Sequence, residues 1–179
     1  QGRFTVSPNQ VLEYPFSFVC PSNIAVSSVT TRYYFSTRLD IKKGVDATDV
    51  DYVTVYPTGL LKNFLQGFEL LGLHPWREGY TGQHDGMQII QFQPTSLFYG
   101  EFDEIVFAFN PHTAQHGISG WFELDKQTYG LIGAIADELD LDERKGYYTF
   151  SAQQLATPQV AAETIKQFII QNSQGLITG

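Results

Sequence analysis

Thr157 and Pro158 stand directly ahead of a run to Asn172 in which Val160, Ala161, Ile165, Phe168 and Ile169 recur at helical spacing. A threonine at the cap accepts one of the orphan N–H groups of a first turn, and a proline at the first helical position has no N–H to lose. A helix is therefore predicted from Pro158, with one apolar stripe that another element must cover. Ser151 and Gln154 match a capping box and predict a short turn just before it.

The body that this helix must pack against is rich in rings. Phe 14 and Tyr 10 stand against a single Met and a single Cys, so the core is built from aromatics and branched aliphatics, which suit pleated sheet. Leu12, Tyr14, Phe16, Phe18 and Cys20 alternate with Glu13, Pro15, Ser17 and Val19, predicting a strand placed at an edge by Pro15. From Ile24 to Ile41 the pattern reads as one long strand, or two broken near Ser27-Ser28. It puts Tyr33, Phe35, Thr37 and Leu39 on one face and Arg32, Tyr34, Ser36, Arg38 and Asp40 on the other. Lys42 to Asp49 reads as a connection, and Asp51 to Tyr56 as a short strand stopped by Pro57.

Leu60 to Leu73 carries a helical pattern, interrupted by Gly67 at a cost of about 1 kcal/mol relative to Ala. His74 to Gly86, with Pro75, Gly79 and Gly82, reads as a surface loop. Met87 to Phe92, Leu97 to Phe109 and Gly120 to Leu124 form an expected antiparallel meander, with Ile105, Phe107 and Phe109 inward. Thr128 to Leu141 reads as a helix with Asp137, Glu138 and Asp140 in water, and Gly146 to Phe150 as a last strand. The expected fold is a single α+β domain over residues 1–179: a mostly antiparallel β-sheet with two or three helices packed on one face, including the C-terminal helix.

Composition narrows the function. A net charge of -8 disfavours nucleic acid and anionic lipid, which require clustered Lys and Arg. No apolar stretch reaches the roughly 18 to 20 residues of a spanning helix, so membrane insertion is not expected. Cys20 has no partner for an internal disulfide, which favours a cytoplasmic or particle-associated setting over a disulfide-stabilised secreted one. With no base nearby in sequence, Cys20 is read as a small buried hydrophobe. The first residue is Gln1 rather than Met, so an initial segment is expected to have been removed or left out of the numbering.

Four histidines carry the sharpest chemistry. Asn110 to Gly117 is compatible with one helical turn that would set His112 and His116 on one face, as in metal-binding pairs, with His84 or Asp85 as the further ligand. The plainer reading is a polar connection between strands. His74, Arg77, Glu78, His84 and Asp85 combine an imidazole, a guanidinium and carboxylates in one expected loop, against the plainer reading that Asp85-Gly86 closes a hairpin into Met87. Glu101, Asp103 and Glu104 offer paired carboxylates, but with Gly100 before them the favoured reading is a solvated hairpin end. Asp137 to Glu143 lacks the glycine and the twelfth-position acid of a calcium loop. There is no glycine-rich phosphate cradle, and no cofactor is expected.

These features favour a non-catalytic structural or protein-interaction module, such as an assembly subunit or an acidic adaptor or inhibitor, acting on a protein partner or by self-association. Tyr34, Tyr52, Trp76 and Tyr80 are its expected interface anchors, because rigid rings bury area at little entropic cost. The alternatives are a metal-dependent enzyme or metal-binding protein using His112, His116 and the His84-Asp85 loop, and a small-molecule carrier with an apolar pocket between sheet and helix.

Overall fold

The computed structural model describes residues 5–21, 24–42, 44–80, 86–111, 116–127 and 143–176. Chain order is β1 (Tyr33–Leu39), β2 (Ala47–Val53), α1 (Gly59–Leu70), β3 (Leu73–Tyr80), β4 (Gln88–Pro94), β5 (Phe102–Phe109), β6 (Gly117–Lys126), β7 (Glu143–Ser151) and α2 (Pro158–Asn172). Strands β3 to β7 form an antiparallel meander in sequence order, and β1 and β2 form a separate two-stranded sheet. The architecture is α+β, as the sequence predicts.

Alternation decides which face of the meander is covered. Ile90, Phe107 and Phe122 lie opposite one another across three strands, as do Phe92, Ile105 and Leu124 one pleat away. These side chains join Leu61, Phe64 and Phe68 of α1 and Ala161, Ile165 and Ile169 of α2 in one buried cluster. Phe68 stacks on Phe92 with ring centroids 4.1 Å apart, and Phe64 meets Phe109 edge-on at 5.6 Å. Each buried ring contributes about 1.5–3 kcal/mol of transfer free energy, so helices and sheet depend on one another for their stability.

Both predicted caps form at the C-terminal helix. Thr157 Oγ1 accepts from the N–H of Val160 at 3.2 Å, and Gln154 Oε1 accepts from the N–H of Ser151 at 2.9 Å. Val160 is exposed rather than part of the stripe, whose buried members include Ala162. Gly67 has a structural reason to be in α1. A Cβ there would come within 3.0 Å of the Ala162 nitrogen and 3.0 Å of Ile165 Cδ1, so its absence lets the two helices approach.

Several expectations are corrected. Residues 11–20 form no strand: they are exposed and join no ladder among the described residues, although Phe16 and Phe18 meet Phe35 edge-on at 5.8 and 4.8 Å. Cys20 is therefore exposed, not buried. The long strand of Ile24 to Ile41 contracts to Tyr33–Leu39, and its partner β2 begins at Ala47 and ends at Val53. His74–Tyr80 is a strand, not a loop, because a bulge between Pro75 and Arg77 absorbs the proline at the sheet edge. The helix expected over Thr128 to Leu141 lies outside the described residues.

Candidate functional site

Gln88 is fully buried at an inward position of β4, in line with Ile90 and Phe92. Its amide replaces a strand partner for the segment before β1. Oε1 accepts from the N–H of Val26 at 3.2 Å, and Nε2 donates to the Val26 carbonyl at 3.1 Å and to Glu78 Oε1 at 3.0 Å. The Glu78 carboxylate in turn accepts from the Thr31 hydroxyl and from the Thr30 N–H at 3.2 Å. Ser27 donates its N–H to the Val55 carbonyl at 2.8 Å, and the Tyr33 hydroxyl donates to the Ala25 carbonyl at 2.9 Å. Thus Gln88 and Glu78 tie the segment 25–31 to the meander.

This clasp seats the β1–β2 hairpin. Tyr34 and Tyr52 are register partners whose rings meet edge-on at 6.2 Å, and they are 59% and 74% exposed. Ser36, Val50, Arg38 and Thr48 continue the same face, and Val50 is also exposed. Asp46 accepts from Arg38 and from the Ile41 N–H, and these bonds hold its carboxyl below the usual range. Two of the expected anchors are thereby brought together on one outward face.

Trp76 is exposed on β3 and borders a different cleft with Tyr99. Tyr80 ends β3 opposite Gln88.

The structure also forms a cleft of about 600 Å³ between α1, the segment 26–29 and the β3–β4 edge. Val26, Val29, Pro57, Leu65, Ile90 and Phe92 supply apolar wall, and Lys62, Gln66 and Glu69 follow one another along α1.

The histidine constellation is largely outside the described residues: His84, Asp85 and His112 fall there, and His116 is exposed at the entry to β6. Among the described residues no group of three or more His, Cys, Asp or Glu could hold a metal ion. Arg77 and Glu78, grouped together as loop residues on sequence grounds, occupy successive positions of β3 and so belong to opposite faces of the sheet. Of the three carboxylates at 101–104, Glu101 and Asp103 are exposed, whereas Glu104 is partly buried. Desolvation and then the charge of Glu123 raise its carboxyl above the ordinary value, against the opposing effects of Arg77 and Lys145.

Sequence reasoning missed Gln88, and it placed Glu78 in a loop rather than on β3 beside that glutamine. The signal was a glutamine in phase with Ile90 and Phe92, since a polar side chain at an inward strand position requires a partner.

A family model described as "Spo0M: SpoOM protein" matches residues 1–128. The sporulation-control protein spo0M of Bacillus subtilis (strain 168) is 25% identical over 183 residues, covering 97% of this chain and 69% of that protein. The crystal structure of Spo0M from Bacillus subtilis is similar with a TM-score of 0.57 at 22% identity, over 89% of this chain and 67% of that one. No helix among the described residues is long and apolar enough to cross a membrane.

Proposed function

Because the chain belongs to the Spo0M family, we propose that it is a regulatory protein of the sporulation-control type, acting through contact with another protein chain rather than through turnover. The observation that carries this reading is the Tyr34–Tyr52 face of the hairpin. A two-stranded ribbon is marginal by itself, and among the described residues it shares no ladder with the larger sheet. Yet it turns two tyrosines and a valine toward solvent beside one another. Paired aromatic rings on a surface are typical anchors of an interface, where their burial concentrates binding energy.

The test is genetic and uses the full chain in its own host. Deletion is expected to change sporulation frequency and the wild-type chain to restore it. Tyr34→Ser/Tyr52→Ser, shown by circular dichroism to be folded, is expected not to restore it. Full restoration by the folded double variant would remove the hairpin face from the mechanism. An unchanged frequency on deletion would remove the sporulation role.

A further inference from the structure

We infer that the cleft between α1 and residues 26–29 binds a single-chain aliphatic carboxylic acid, with its tail along the apolar wall and its carboxylate at Lys62. The volume of about 600 Å³ lies within the range of small-molecule sites. Apolar side chains enter the wall from three sides, Val26 and Val29 from the clasped segment, Leu65 from α1, and Ile90 and Phe92 from β4, with the polar Ser27, Ser28 and Gln66 between them.

Hydrogen bonding disfavours an extended peptide as the natural occupant. The N–H groups of Val26, Ser27 and Ser28 are already spent on Gln88, Val55 and Thr31, and the Val26 carbonyl is spent on Gln88. Pro75, on the β3 side of the cleft, has no N–H to offer. A peptide backbone laid here would lose water without gaining a ladder, at a cost of about 1–3 kcal/mol for each unpaired group. An alkyl chain has no such groups to satisfy.

Charge then orients the ligand. Lys62 and Glu69 lie seven residues apart on α1, about 10 Å along its axis. Among the described residues neither side chain is engaged in an ion pair with the protein. An acid head is attracted by Lys62 and repelled by Glu69, so the tail runs from the Pro57 end of the cleft toward the start of β3. The inference does not depend on the regulatory reading, since it uses a different face and different residues.

The experiment is fluorescence titration of the purified chain with dansyl-labelled undecanoic acid, followed by displacement with unlabelled palmitate. Saturable binding is expected, with palmitate competing and the uncharged C16 alcohol competing about fivefold less well. Val29→Trp fills the cleft from an exposed position and is expected to weaken binding by about tenfold or more. Lys62→Glu, also at the surface, is expected to weaken the acid and leave the alcohol unchanged.

Tyr34→Ser/Tyr52→Ser is expected to bind as the wild type does. The inference is overturned by an absence of saturable binding. It is equally overturned if folded Val29→Trp and Lys62→Glu proteins bind normally, or if the tyrosine variant abolishes the signal, which would place the probe on the hairpin. Displacement by an extended apolar peptide but not by palmitate would assign the cleft to a protein partner and reject the acid.

Discussion

The side-chain amide of Gln88 bonds both backbone groups of Val26, accepting from its N–H at 3.2 Å and donating to its carbonyl at 3.1 Å. One residue thereby supplies the two hydrogen bonds that a neighbouring strand would otherwise provide, at a position with no solvent exposure. Gln88→Met preserves volume but leaves the buried Val26 groups unpaired. It is expected to cost about 2–4 kcal/mol, read as a lower urea midpoint. If the midpoint does not move, the clasp contributes nothing to stability.

Gly67→Ala sets two effects against each other. Helix propensity favours alanine by about 1 kcal/mol, whereas forcing a methyl against Ala162 and Ile165 costs about 1–3 kcal/mol. Two of the nearest atoms are α2 backbone, which cannot rotate away, so the net effect is expected to be a loss. A thermal melt showing equal or higher Tm would mean that the helices separate without penalty.

Tyr148 reaches across β6 at the place where Gly120 has no side chain, and its hydroxyl donates to the Ala108 carbonyl at 3.1 Å. A Cβ at Gly120 would run into that same carbonyl oxygen, so Gly120→Ala is expected to destabilise the sheet. Burial raises the Tyr148 pKa well above its ordinary value of 10.0. The phenol is neutral in both states below the unfolded pKa, so its contribution is complete there and is lost as pH rises above about 10 toward the folded value. Tyr148→Phe should lower stability near neutrality by about 1 kcal/mol and flatten the alkaline decline. Parallel alkaline curves for the two proteins would contradict this assignment.

Glu104 gives the corresponding acid-side test. Its carboxyl is raised above 4.5 by desolvation and by Glu123, so folding disfavours the ionised form. The stability it contributes is complete below the unfolded pKa and is lost as pH rises through the folded one. Glu104→Gln is therefore expected to raise Tm at pH 7 and to leave it unchanged near pH 3. A gain of equal size at both values would point to packing rather than charge.

What was legible in the sequence depended on whether a local signal carried its own partner. Thr157 caps a helix three residues away, and the continuous apolar run that holds Ile105, Phe107 and Phe109 declares a buried strand by itself, so both were readable. Leu12 to Cys20 alternates, but alternation reports side-chain direction and not whether a neighbouring backbone completes a ladder. His74 to Tyr80 fails in the opposite sense: its Pro and Gly content resembles a loop, and only the pairing with β4 makes it a strand. The clasp of Gln88 on Val26 spans 62 residues, a separation over which no periodicity operates. The cleft arises from the same long-range docking and was present in the sequence only as a class of outcome.

Among the described residues, the join between ribbon and meander relies on amide and carboxylate side chains instead of a shared run of main-chain pairing. A ladder seam is difficult to dissolve by mutation, since every residue contributes the same backbone atoms. A seam concentrated in Gln88 and Glu78 is under the control of two codons, so a lineage could loosen, re-angle or discard the ribbon while the meander beneath it is inherited intact.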